Sequence, residues 1–275
     1  MIPVQPPVLQ RVRADGRVSV RQIDGRTRLH RLFQEGAAKI RFPAPESAAL
    51  EAVLINTAGG LTGGDRVEWS ADAAPGSSLS LTTQACEKIY RAGTGRAEVS
   101  VALKAGAGAR LCWLPQETIL FDGAALSRRL DVDLAQDASA LILEATIFGR
   151  KAMGERVDRA MFHDRWRVRH AGRLVHAEDF RIGPDVADQL SRQATTNGGR
   201  AVATLLFLGE NAEELLTSVR ALTGEAGSAS FWCVGGTGKL LARIVAEDGY
   251  ALRRRLLPLA RLLNGQAGLP KIWTS

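Results

Sequence analysis

The string QACEK sets Cys86 beside Glu87, with His30 upstream, and a thiol served by an imidazole is the chemistry of a cysteine hydrolase. The string shares only the first three letters of the caspase signature. Glu87 next to the thiol disfavours the reactive thiolate, so a structural cysteine on a strand is the plainer reading and hydrolysis at Cys86 the alternative. A second group, His163, His170 and His176 with Asp164, Glu178 and Asp179, consists of metal-donor types. Its histidines lie seven and then six residues apart, which matches no zinc template, and neighbours along a strand face opposite ways. Structural or surface histidine fits better.

Two glycine-rich strings could cradle a phosphate. In NTAGGLTGGD (56–65), Gly59, Gly60, Gly63 and Gly64 supply positive φ and close backbone approach, enough for a nest of amides around an anion. The chain continues as DRVEWS, a strand-like alternation opened by the acidic Asp65, and neither the P-loop nor the dinucleotide fingerprint is met. Tight turns between closely packed strands explain the string. In GGTGKLL (235–241), Lys239 follows Gly238, but Cys233 stands where a P-loop begins and Leu240 where it binds magnesium. A glycine turn between FWCV and LLARIVA is the simpler account.

The elements that must position these residues are mostly strands. SSLSLTTQA alternates Leu79, Leu81, Thr83 and Ala85 against Ser78, Ser80, Thr82 and Gln84. The alternation returns at Val99, Val101 and Leu103, at Leu130, Val132 and Leu134, and at Trp166 and Val168, with breaks such as AAPGSS, KAGAGA and AQDAS between. With no helix-period segment before about residue 210, the pattern predicts an all-β body rather than a βαβ sheet. Two helices are predicted near the end. One lies in ENAEELLTSVRALTGE, with Asn211 as N-cap, Leu215, Val219 and Leu222 on one face and Gly224 as the stop. The other lies in EDGYALRRRLLPLARLLNG and buries Leu252, Leu256, Leu259 and Leu263, with a kink or late start at Pro258 and its arginines in water. Residues 183–200 read as a surface loop, and 1–275 as a single domain.

Composition narrows the class. Apolar residues make up 45% and charged residues 24%, and no run reaches the ~18 apolar residues of a membrane span. MIPVQPPVLQRVRADG lacks the pattern of a secretory signal, and Cys86, Cys112 and Cys233 show no C-x-x-C spacing. A reducing cytoplasm is expected. The formal charge of +7 keeps a basic nucleic-acid-binding protein as a further alternative, although net charge alone names no partner.

Six ordered strings, AAKIRFP, LINTAGGLTGGD, TTQACEKIYR, WLPQETILFDGA, FGRKAMGE and LPKIWTS, resemble the urease accessory protein UreD (UreH) family along most of the chain. The resemblance implies an all-β, β-helix-like fold of stacked sheets with two short α-helices in the C-terminal third. It also implies a chaperone rather than an enzyme, one that binds apo-urease and UreF, and UreG through UreF, while nickel is installed. No catalytic residue and no tightly bound cofactor carry over, and neither nucleic acid nor membrane is an expected partner. An implied water-filled nickel passage wants acidic and hydroxyl-bearing walls, because carboxylates replace part of a dication's lost water without holding it permanently. Asp65, Glu144 at the end of LILEA, and Glu178 in LVHAEDF are the candidate metal contacts, with Thr83, Gln84 and Cys86 as further donors. In WLPQETILFDG, Trp113, Leu114, Ile119 and Leu120 read as core, with partner surface as the other reading, and the tryptophan of LPKIWTS is expected to pin the C-terminus.

Overall fold

Strands dominate, as the two-residue alternation requires. In chain order they are β1 (Arg13–Ile23), β2 (Arg26–Gly36), β3 (Ala38–Arg41), β4 (Leu50–Asn56), β5 (Arg66–Ala73), β6 (Ser78–Thr83), β7 (Glu87–Ile89), β8 (Ala97–Ala105) and β9 (Arg110–Trp113). They continue with β10 (Thr118–Leu120), β11 (Ala125–Leu134), β12 (Ser139–Phe148), β13 (Met161–His170), β14 (Arg173–Ile182), β15 (Ala201–Leu208), β16 (Gly227–Val234) and β17 (Thr237–Ala246). The computed structural model describes residues 10–44 and 47–273. Residues 1–9, which begin the segment tested for a secretory signal, and the last two residues of LPKIWTS lie outside them.

The chain winds as a β-solenoid of about four turns. Successive strands alternate between two sheets, so β5, β8, β11 and β13 stack in parallel on β1 while β6, β9 and β12 stack in parallel on β4. Parallel neighbours ordinarily need a helical crossover; here the return path is a strand of the facing sheet, which is why parallel pairing appears without βαβ units. The corners stack too, with Gly76 N donating to Ala107 O at 2.9 Å and Ala135 N to Ala105 O at 2.8 Å. Alternation then fixes which residues meet in the middle. One inward row runs Trp69, Val101, Leu130, Trp166 and another Ala71, Leu103, Val132, Val168, all buried. Each large apolar side chain so placed contributes about 1.5–3 kcal/mol. The outward row Asp72, Lys104, Asp133, Arg169 sets opposite charges side by side across the strands.

Antiparallel strands close the ends: β2 on β1, β14 on β13, and β15, β17 and β16 beyond β12. Strand β12 is buried on both faces, Ile142 and Ala140 toward the solenoid interior and Leu141 and Leu143 toward a second core under the C-terminal helices. The helix α3 (Gly249–Asn264) covers that face with Leu252, Leu256, Leu259 and Leu263, as the spacing predicted. Asp248 caps it by accepting from Ala251 N at 2.9 Å, and the helix runs unbroken through Pro258, whose ring lies on the exposed side.

Two expectations about helices need correction. The helix α2 covers only Leu216–Thr223; Asn211 provides no side-chain cap, and residues 211–215 form turns of mixed span before regular helical pairing begins. The predicted loop 183–200 contains a short helix, α1 (Val186–Ser191), which buries Val186 and Leu190 and is tied by Gln189 to both backbone groups of Gly183 at 3.1 Å. Six residues are too few for a period to be legible.

NTAGGLTGGD forms turns, as expected. Gly63 is required by space, because a Cβ there would sit 2.1 Å from the carbonyl oxygen of Thr94. Gly59 is required only by its φ of +75°, with nothing within 4 Å of an added Cβ. Gly63→Ala should therefore cost about 1–3 kcal/mol, and Gly59→Ala about 1 kcal/mol, in urea unfolding; a smaller loss at Gly63 than at Gly59 would contradict the close packing. WLPQETILFDG is mostly core: Trp113, Leu114 and Leu120 are buried as expected, Phe121 joins them, and Ile119 is only half-buried. Trp273 is buried and donates to Thr82 Oγ1 at 2.9 Å, pinning the end of the described chain.

Candidate functional site

A third inward row of the first sheet is apolar for three strands and then changes character. Ala14, Val67 and Val99 give way, in register, to Arg128 on β11 and Asp164 on β13. Glu144 on β12 faces them from the other sheet. All three are about 5% exposed, so their charges must be satisfied inside the protein. Arg128 grips Asp164 through two bonds, Nε to Oδ1 at 3.0 Å and Nη2 to Oδ2 at 2.6 Å. Its Nη1 reaches Glu144 and donates to Thr118 Oγ1 at 3.1 Å. Two indoles finish the arrangement: Trp113 Nε1 donates to Glu144 Oε1 at 2.9 Å, and Trp166 Nε1 to Asp164 Oδ2 at 3.1 Å.

Arg128, Glu144, Asp164 and Trp166 line a cavity of about 310 Å³ between the sheets, near α1. Glu178 on β14 and Arg243 on β17 close its other side as an ion pair. Thr146 and Thr204 add hydroxyls. The structure thus brings together two of the carboxylates singled out in sequence, Glu144 and Glu178. Burial pushes the Glu144 carboxyl up, and the neighbouring Asp164 pushes the same way, against the pull of Arg128. With every acid ionised, Glu144, Asp164 and Glu178 carry three negative charges against the three positive charges of Arg128, Arg181 and Arg243, and the charges of the walls balance.

Asp65 does not line this cavity. It is buried, and its oxygens accept from Val12 N at 2.9 Å and Thr62 N at 2.7 Å, so it clamps the glycine turn to the start of β1. Thr83, Gln84 and Cys86 line a different cavity of about 200 Å³, together with Asn56 and Glu87. There Asn56 Nδ2 donates to Glu87 Oε1 at 3.2 Å and Oε2 at 3.1 Å, yet burial pushes the Glu87 carboxyl up to about 7. The folded state thus holds this proton more tightly than the unfolded chain, whose glutamates titrate near ~4.3. Stability from this group is present below that range and is lost as pH rises toward 7. Glu87→Gln should accordingly stabilise the protein at pH ~8, by an amount on the order of 2–3 kcal/mol, and leave it almost unchanged at pH ~4. Thermal midpoints of both proteins at the two pH values check this; an equal effect at both would refute it.

Cys86 is no nucleophile. Burial pushes its thiol up to about 12, helped by the charge of Glu117, whose Oε2 lies 3.4 Å from Sγ. The acid that matters is Glu117, held by Arg253 of α3 at 3.2 Å, and not the sequence neighbour Glu87. The arginine face of α3 is therefore not wholly in water. The histidines are dispersed: His163 bonds Asp179 at 2.9 Å, His170 bonds Thr237 at 2.9 Å, and His176 lies buried against Trp166, with burial pushing its pKa down to about 4. Among the described residues no three His, Cys, Asp or Glu side chains are grouped so as to hold a metal ion. No helix among them is long and apolar enough to cross a membrane.

Arg128 and Asp164 are the site residues that sequence reasoning missed or misread. Each had a signal: a charged residue standing in the inward register of an otherwise apolar alternation, between Leu126 and Leu130 in one case and between Phe162 and Trp166 in the other.

Comparison with known proteins bears on the whole chain. A family model described as UreD urease accessory protein matches residues 12–274. Urease accessory protein UreD of Mesorhizobium japonicum is 58% identical over 269 residues, covering 98% of this chain and 96% of its own length. Urease accessory protein UreD 1 of Brucella abortus and urease accessory protein UreD of Brucella suis are each 57% identical over 266 residues, covering 97% of this chain and 95% of theirs. With a match of this length, no phosphate-binding loop in either glycine string and its one activated-cysteine candidate disarmed by burial, the chain belongs to the UreD family of urease accessory proteins.

Proposed function

We propose that this protein acts in urease maturation as a single-domain scaffold that binds the urease apoprotein and UreF, and UreG through UreF, and lets nickel pass through its interior. Its family consists of non-catalytic accessory chaperones for assembly of the nickel metallocentre. The observation that carries the passage is the charged cavity inside an otherwise apolar solenoid. A space of about 310 Å³ holds roughly ten waters at ~30 Å³ each, enough for a hydrated ion to shed its shell in steps. The balance of charge matters as much as the acids: Arg128, Arg181 and Arg243 offset the three carboxylates, so the walls offer oxygen donors to a dication without trapping it. Glu144 and Glu178 are the proposed contacts. Asp65, whose oxygens are engaged by backbone amides, serves the passage at most by holding the glycine turn.

The test is genetic and analytical. A strain lacking this protein should make normal amounts of the urease polypeptides, with the enzyme inactive and poor in nickel by metal analysis. Normal nickel content in the deletion strain would end the proposal.

A further inference from the structure

The β1–β2 hairpin combines a row of exposed arginines with an open strand edge. Arg21 lies directly opposite Arg28, and Arg31 and Arg26 continue the basic row on β2; the like-charge pair Arg129 and Arg165 further along the face differs in that Arg129 is ion-paired with Asp131. Like charges placed directly across a strand pair are destabilising. Arg21, Arg26, Arg28 and Arg31 are exposed, and none makes an ion pair among the described residues. The second feature is the edge. β2, eleven residues long, ends its sheet, as β14 does on the opposite side, with no strand beyond it among the described residues; Thr27 N is taken by Ala48 O at 2.8 Å, and proteins ordinarily shorten, charge or cover such an edge. It also displays apolar surface: Phe33 is 46% exposed beneath Arg17, and Ile23, Leu29 and Leu32 are about 40% exposed. A groove of about 930 Å³ runs beside it, lined by Arg17, Ser19, Arg31, Phe33, Asp72 and Lys104.

We propose that the outer face and free edge of this hairpin dock an extended acidic segment of a protein partner. Carboxylates set between Arg21, Arg28 and Arg31 relieve the like-charge contact, and a strand laid along β2 beyond Thr27 satisfies the remaining open backbone groups while covering Leu29 and Leu32. A second copy of this chain is a poor fit, because self-pairing of β2 sets one arginine row against another. Nucleic acid is also a poor fit, since phosphates make no use of the strand edge or of the aliphatic residues. The inference rests on the accessory-protein reading only for the existence of a protein partner, and not on the nickel passage.

The experiment uses the full chain, alone and in the complex purified after co-expression with urease apoprotein and the other accessory proteins. Amide exchange over residues 26–34 should slow about tenfold or more in the complex. Arg28→Glu places a carboxylate opposite Arg21, so the thermal midpoint of the isolated chain should hold or rise while recovery of the complex at ~0.15 M salt falls about tenfold; Arg31→Glu should also cut recovery. Opposite signs in stability and capture are what a merely structural role cannot give. Unprotected amides in the complex, undiminished capture by Arg28→Glu, or a lowered midpoint in that variant overturns the proposal. So does a DNA duplex of about twenty base pairs bound by the parent at the same salt and released by Arg28→Glu, or a dimer that Arg28→Glu dissociates. Urease nickel is not read in this experiment, so its failure and the failure of the nickel-passage test are separate results.

Discussion

Arg128→Met should destabilise the protein by about 3–5 kcal/mol, the largest loss expected from any single substitution at the cavity. The methionine fills similar space, so the cost is electrostatic. Glu144 and Asp164, both about 5% exposed, lose the guanidinium that meets them, and only the indoles of Trp113 and Trp166 remain as donors. Unpaired buried carboxylates hold their protons more tightly than the unfolded chain does. The deficit should therefore be small below about pH 4, where both states are protonated, and grow as pH rises to neutrality. Removing the acids as well, with Glu144→Gln and Asp164→Asn, should restore most of the loss, because the penalty belongs to the stranded charges. Urea unfolding of the three proteins at pH ~5 and ~8 measures this. A loss under about 1 kcal/mol for Arg128→Met at pH ~8 would mean that water already reaches these groups and that the site is no low-dielectric cluster.

That triad also shows how much of the site is legible in the sequence. The alternation of Leu126, Leu130 and Val132 marks strand β11 directly, and the same parity places Arg128 inward and Arg129 outward. In the string SRRLDVDL the two arginines look equivalent, and only counting parity from the leucines separates them. Sheet membership is harder to read. Hydrophobic alternation is the same for parallel and antiparallel pairing, so the solenoid winding comes from the family resemblance and not from periodicity. Contacts such as Glu117 with Arg253, separated by 136 residues, leave no mark in local sequence, which is why the string QACEK points to Glu87 for the state of Cys86 when burial, assisted by Glu117, is responsible. The α3 stripe is legible because sixteen residues give the helical period room to repeat; the six of α1 do not.

The double variant Glu144→Gln/Glu178→Gln should assemble normally with its partners and yet leave urease short of nickel, lowering activation by about tenfold or more. Each glutamine keeps a carbonyl oxygen where the glutamate accepted a bond, so Trp113 and the arginines retain a partner. Burial already disfavours the charged form of Glu144, and replacing it by a neutral amide should not unfold the core. What changes is the charge of the walls. Against Arg128, Arg181 and Arg243 only Asp164 then remains, and walls that balance when every acid is ionised become positive by up to two charges. At roughly 6 Å and an effective dielectric of about 20, each unit of charge changes the energy of a dication by about 5 kcal/mol, so even a fraction of that change raises the barrier by more than the tenfold slowing requires. Glu144→Asp/Glu178→Asp restores the charge and should recover much of the nickel content, separating an electrostatic role from one of shape. If the glutamine pair loads urease as fully as the parent, nickel does not pass between these carboxylates, and the cavity serves the packing of the solenoid alone.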